Sequence, residues 1–141
     1  MNFPLILHIE TSTQVCSVAL SNGTECIFSK FTNEEGMNHA KLLNGFIAEA
    51  MNVLNNDFHS LNAVAVSSGP GSYTGLRIGV STAKGLCYGL NIPLISVGTL
   101  DIMAVAALNS INEKDALLCP MLDARRMEVY AAIYNTDLEV V

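Results

Sequence analysis

Over the first third of the chain apolar positions come in short blocks divided by polar turns. Leu5–Glu10 (LILHIE) is an apolar run closed by an acid, which predicts a first strand. Thr11-Ser12-Thr13-Gln14 reads as a polar turn and residues 15–20 as a second strand. Asn22-Gly23 is a strong hairpin signal, so residues 26–31 complete a three-strand antiparallel meander. A polar loop covers 32–37. The period then changes: Leu43, Phe46, Ile47, Ala50 and Leu54 recur at helical spacing, which predicts a helix over 38–54. Asn38 is placed to cap it, and Asn55-Asn56-Asp57 to stop it. Residues 63–66 form a short buried strand. Residues 92–97 form another, held to an edge or a start by Pro93. A helix is predicted over 99–109 with Thr99 as its cap. Strands over 116–122 and 128–134 flank a turn at Asp123-Ala124-Arg125-Arg126.

Between these elements lies the stretch on which the reading turns, residues 67–89, SSGPGSYTGLRIGVSTAKGLCYG. A Gly-Pro-Gly turn runs into a segment whose only helix breaker is glycine. At about 100° per residue, Gly75, Gly79 and Ala83 fall on one stripe and Ser81, Gly85 and Gly89 on its neighbour. Arg77, Lys84 and Tyr88 form the polar edge. Interior glycine costs a helix about 1 kcal/mol per residue relative to alanine. The usual compensation is close approach of another backbone. The apolar and small arc is wider than a one-sided surface helix needs. The expectation is a helix packed on two sides, by its own sheet and by a second helix that belongs either to this chain or to a partner.

Composition narrows the class. The 141 residues suit about one domain, and half of them are hydrophobic, enough for a sizeable core. No apolar run reaches the roughly 18 residues that span a bilayer, and the start lacks the basic region of a signal peptide. Cys16, Cys26, Cys87 and Cys119 have neither CxxC nor metal-ligand spacing, so free and mostly buried thiols in a reducing cytoplasm are expected. A net charge of −6 excludes a basic nucleic-acid face built by this chain alone.

The motifs give little chemistry. Residues 69–77 resemble a phosphate loop but place Leu76 where its lysine belongs. The turn does present helix N–H groups that suit an anion. Gly-Ser-Tyr-Thr-Gly is not a nucleophile elbow, and there is neither a triad nor an HExxH to support a peptidase. His8, His39 and His59 are too far apart for a metal site. Asp123 and Glu128 flank Arg125 and Arg126, which predicts local ion pairing. The strand that ends in Glu10 and the one that ends in Asp123 are each followed by a polar turn and a second strand, a faint internal repeat.

Taken together HIETST, NHAKLL, SSGPGSYTGLRIGVSTAKGL, IPLISVGTLD and LDARRMEVYAAIY resemble the TsaB (YeaZ) family of the actin-like ATPase superfamily, over residues 1–134. The resemblance implies an α/β fold: an actin-like (ribonuclease H-like) lobe over 1–110, a mixed sheet in β-β-β-α-β-α order, and at 111–141 the opening hairpin of a second lobe. Family members are longer, so their C-terminal part is expected to be missing here. It implies a non-catalytic scaffold in tRNA threonylcarbamoyladenosine synthesis. Such a scaffold pairs with the transferase TsaD, is joined by the ATPase TsaE, forms a homodimer when alone, and meets tRNA only through the complex. The partner-facing residues expected are His39, Leu43, Ile47, Gly75, Leu76, Ile78, Gly79, Thr82, Ala83 and Leu86. TsaD-like chains carry a His-x-x-x-His metal pair where this chain has Thr99 and Met103, so no metal and no catalytic residue is assigned. The alternative is an ATP-binding phosphotransferase or ATPase, with Thr11, Ser12 and Thr13 on phosphate and Glu10 placing Mg²⁺ through water. Against that, the turn lacks the superfamily's glycine. No cofactor is assigned to the chain alone; ATP or ADP is left to the interface with TsaD.

Overall fold

A computed structural model of the chain describes residues 3–32, 39–113 and 115–141. The meander forms as expected, from β1 (Leu5–Glu10), β2 (Cys16–Asn22) and β3 (Glu25–Thr32). β4 (Ala63–Ser67) then adds parallel to β1, and β5 (Leu94–Val97) parallel to β4, giving one mixed sheet in the order β3-β2-β1-β4-β5. β4 is buried along its whole length, which explains its uninterrupted apolar run. β5 lies at the sheet edge, where Pro93 can precede it without breaking a ladder.

The alternating strands put Leu7 and Ile9 opposite Leu20 and Val18, all on one face of the sheet. Two helices cover that face: α1 (His39–Asn52), through Leu43, Phe46, Ile47, Ala50 and Met51, and α2 (Tyr73–Leu90), through Ala83 and Cys87. Each fully buried Leu, Met or Val of this layer contributes about 1.5–3 kcal/mol. α2 begins on Ser72, whose hydroxyl accepts from the Gly75 N–H, and ends on Asn91 in the left-handed region at φ 54°. The Asn38 cap and most of the 32–37 loop lie outside the described residues.

α3 (Thr99–Leu108) and a separate two-strand sheet, β6 (Met121–Arg125) with β7 (Glu128–Ala131), complete the order. A second apolar cluster of Ala104, Leu118 and Tyr134, with Leu108, Ile111 and Ala132 packed against it, joins α3 to the segments flanking the hairpin. The Tyr134 hydroxyl donates to Asp101 Oδ1 across 2.6 Å at the same junction.

Several expectations are corrected. Gly98, not Thr99, caps α3, and the Thr99 hydroxyl is buried without a partner. The strand expected over 116–122 starts at Met121, because Pro120 has no N–H to give a ladder; Leu118 makes only an isolated bridge to Tyr134. A 3-10 turn at Phe58–Ser60, capped by Asp57, was not legible in the pattern. Only Cys16 and Cys87 of the four free thiols are buried; Cys26 and Cys119 are exposed. Among the described residues no helix is long and apolar enough to cross a membrane.

Candidate functional site

β1 and β4 run parallel and end side by side, so Glu10 and Ser67 meet at the carboxyl edge of the sheet, where open α/β sheets gather their ligands. Past them, beyond the turn after β1, a cleft of about 770 Å³ opens that neither Glu10 nor Ser67 lines. Its walls are the turn after β1, the start of α2, His39, and the Asp123–Arg125 end of the hairpin. Phosphate contact was expected at the turn after β1, and its residues can be tested for it.

They do not fit. Glu10 Oε1 accepts from the Ser12 N–H at 2.6 Å and from the Ser67 hydroxyl at 2.9 Å, so the acid occupies the backbone donor a phosphate would need. The Thr11 hydroxyl donates to the Gly75 carbonyl at 2.8 Å. Thr13 Oγ1 accepts from the Val15 N–H, and the Ser12 carbonyl from the Ser72 N–H. Thr11 and Ser12 are 0% and 1% exposed. The Ser12 hydroxyl is buried without a partner, pressed beneath Gly71, where a Cβ would collide with the Ser12 backbone. The expectation of phosphate contact at Thr11 and Ser12 is therefore corrected: both are fastened into the fold. Thr13 alone of the three is half-exposed, and it lines the cleft beside Ser12.

The second turn uses the same device. Asp123 Oδ1 accepts from the Arg125 N–H at 2.7 Å, two residues on, as Glu10 does from Ser12. The faint repeat in the sequence thus has a bond in common. The ion pairing expected between Asp123, Glu128 and the two arginines is replaced by this backbone cap. Among the described residues the ion pair formed is Lys30 with Glu49, at 2.6 Å. Among the described residues, too, no group of His, Cys, Asp and Glu stands close enough to hold a metal ion. Thr99 is buried and Met103 half-buried in α3.

The glycine stripe of α2 faces inward. A methyl at Gly75 would strike the Thr11 carbonyl, and one at Gly79 the Thr11 hydroxyl oxygen. Ala83 is fully buried behind them. The foreign backbone that these residues were expected to meet is the chain's own turn. Leu43 and Ile47, at 1% and 5% exposed, are likewise core residues. These five are removed from the partner-facing set, because their surface is already spent inside the monomer. His39, Leu76, Ile78, Thr82 and Leu86 are half-buried and keep area to offer.

What stays open on α2 is the neighbouring stripe. Ser81, Gly85 and Gly89 are exposed, and none of the described residues lies within 4 Å of where a Cβ would stand at either glycine. Beside it a groove of about 460 Å³ runs between the two helices, with Leu43 and Asn44 on one wall and Thr74, Arg77, Ile78 and Thr82 on the other. Arg77 stacks on the exposed Tyr73 ring at 5.5 Å. A third cavity, of about 500 Å³, lies on the opposite face of the sheet under Ile102 and Val105. There burial lowers the pKa of His8, whose Nε2 lies 2.9 Å from the Ser21 hydroxyl.

Comparison with known proteins follows the same lines. The family model for TsaD, tRNA N6-adenosine threonylcarbamoyltransferase, matches residues 30–141. The tRNA threonylcarbamoyladenosine biosynthesis protein TsaB of Escherichia coli K12 is 37% identical over 133 residues, which is 94% of this chain and 55% of that protein. TsaB of Bacillus subtilis 168 is 33% identical, covering 92% of this chain and 55% of its own length. A solved structure of YeaZ from Pseudomonas aeruginosa superposes with a TM-score of 0.85 at 27% identity, over 99% of this chain and 64% of that one. The chain spans about half the length of the curated relatives it matches.

Proposed function

The chain belongs to the TsaB (YeaZ) group of the TsaD family, and on that premise we propose that it is a non-catalytic pairing subunit in tRNA threonylcarbamoyladenosine biosynthesis. In this reading residues 1–110 are an actin-like, ribonuclease H-like lobe, and residues 111–141 open a second one. The exposed side of α1 and α2 pairs with TsaD, TsaE joins that pair, and tRNA is met only through the complex, in the cytoplasm. With TsaD absent, the same side pairs with a second copy.

One observation carries the reading: the open small-residue stripe of α2 beside the inter-helix groove. Gly85 and Gly89 weaken an exposed helix and gain no contact from the described residues in return. Bare helix backbone beside a groove of mixed polar and apolar walls is what a partner helix needs in order to approach closely. The closed turn at Glu10 supports the non-catalytic part, since the Ser12 N–H, the Ser67 hydroxyl and the Thr11 hydroxyl are already bonded inside the chain.

The test is Gly85→Leu, which adds bulk where nothing lies within 4 Å. Titration calorimetry against TsaD of the same organism should show at least about a tenfold loss of affinity, with the melting temperature held or raised. Affinity unchanged in a folded variant would sink the proposal. Substitution of Gly79 or Ala83 would report on the core instead.

A further inference from the structure

The two outer helices are charged unlike the rest of the molecule. α1 and α2 carry Lys41, Arg77 and Lys84, three of the chain's seven basic residues, and only Glu49 of its thirteen acids. Their formal charge is +2, against −8 for the remainder of a chain whose total is −6. All three cations are exposed. Glu49 is closed in its pair with Lys30 of β3. Among the described residues no carboxylate pairs with Lys41, Arg77 or Lys84. Arg77 and Lys84 are seven residues apart, two helical turns or about 10 Å, on the same side of α2 as the open stripe at Ser81 and Gly85.

From this arrangement we infer that the α1–α2 side is built for an acidic helical surface and holds a second copy of this chain less tightly. The inference rests on the pairing reading above and adds the chemistry of the partner. A helix that lies along the open stripe brings its side chains to Arg77 and Lys84, and carboxylates there complete ion pairs that the described residues leave unmade. An isologous pair would instead set one basic side against its copy, and like charges across an interface oppose association. RNA is the other polyanion such cations could meet. Three separated cations around a groove walled by Leu43 and Ile78 are sparse for a phosphate backbone, which is held by dense basic stripes.

Salt and charge reversal test the inference on the full chain. The probe is the threonylcarbamoyltransferase of the same organism, titrated at about 50 and about 300 mM salt, with self-association followed by sedimentation. Pairing with the transferase should weaken about tenfold between the two conditions, and self-association should strengthen. Arg77→Glu with Lys84→Glu should lose about tenfold in transferase affinity at low salt, lose most of the salt dependence, and self-associate more tightly. Arg77→Gln with Lys84→Gln should fall between, and serves if the reversed chain does not fold.

If both charge variants bind like the parent while Gly85→Leu does not bind, the acidic-partner inference is overturned and the pairing reading stands. If Gly85→Leu also binds like the parent, the pairing reading itself is overturned. If the chain alone binds labelled tRNA and the reversal abolishes that binding, these cations read RNA and the inference is overturned.

Discussion

The Thr11 hydroxyl donates to the Gly75 carbonyl across 2.8 Å, and so fastens the turn after β1 to the first turn of α2. Thr11 is fully buried, and it reaches that carbonyl because α2 carries no side chain at Gly75 or Gly79. The helix gives up propensity at these two positions and gains a close seat on its own sheet. Two glycine stripes on one helix thus have opposite purposes. One receives this chain's backbone, and the other remains open.

The two stripes should respond oppositely to alanine. Gly75→Ala drives a methyl into the Thr11 backbone carbonyl and should destabilise the chain by about 1–3 kcal/mol, even after the gain in helix propensity. Gly85→Ala meets nothing and should stabilise it by about 0.5–1 kcal/mol. Urea unfolding of both variants reads the difference. Two shifts of the same sign would contradict the assignment of inner and outer stripes.

Tyr134 ties the hairpin segment to α3, and its ionisation should weaken that tie. Its phenol is raised above the ordinary value of 10.0, first by its hydrogen bond to Asp101, then by burial and by the charge of Asp101. A raised folded-state value means the stabilisation is complete below the ordinary pKa and lost as pH climbs through the folded one. Burial raises the Cys16 and Cys87 thiols as well, so they add to the same alkaline loss. Tyr134→Phe should cost about 1–2 kcal/mol at neutral pH and leave a shallower decline in melting temperature above about pH 10. An alkaline decline as steep as the parent's would remove Tyr134 from it.

Much of the fold was legible because its periods are plain. LILHIE, the Asn22-Gly23 turn and the helical repeat from Leu43 to Ala50 each state their element and its buried face. The site was less legible, because its decisive partners are distant in sequence. Glu10 and Ser67 are 57 residues apart, and Thr11 and Gly75 are 64 apart. Nothing local says that a hydroxyl-rich turn spends its donors inward, or which of two adjacent glycine stripes faces the sheet. The Asp101–Tyr134 bond was hidden for the same reason. The echo between Glu10 and Asp123 was visible, and its cause is a shared backbone cap.

Acid should expose the other face of the sheet. Burial lowers His8 below its ordinary value of 6.5. A depressed folded-state value means the stabilisation is complete above 6.5 and lost as pH falls through the folded one, because the unfolded chain takes the proton first. His8→Gln keeps a polar partner for the Ser21 hydroxyl and has no proton to gain. Its melting temperature should fall less than the parent's between about pH 6.5 and pH 5. Identical profiles would mean that carboxylates alone set the acid limit.

Glu10 separates a structural turn from a nucleotide-binding one. Its Oε1 satisfies the Ser12 N–H and the Ser67 hydroxyl together, and both residues are nearly fully buried, at 1% and 2% exposed. Glu10→Ala leaves both donors without an acceptor and should destabilise the chain by about 2–4 kcal/mol, since a buried unmet donor costs about 1–3 kcal/mol. Glu10→Gln keeps an oxygen in place but loses the charge, and should cost about 1 kcal/mol. A turn that places Mg²⁺ through this carboxylate predicts something else. There, ATP with Mg²⁺ would raise the melting temperature of the parent, and Glu10→Gln would erase that rise at little cost to the unliganded chain. Thermal unfolding of the three proteins with and without ATP and Mg²⁺ distinguishes the cases. The bonds at Glu10 predict stability that follows the order parent, Gln, Ala, with no nucleotide-dependent shift in any of them.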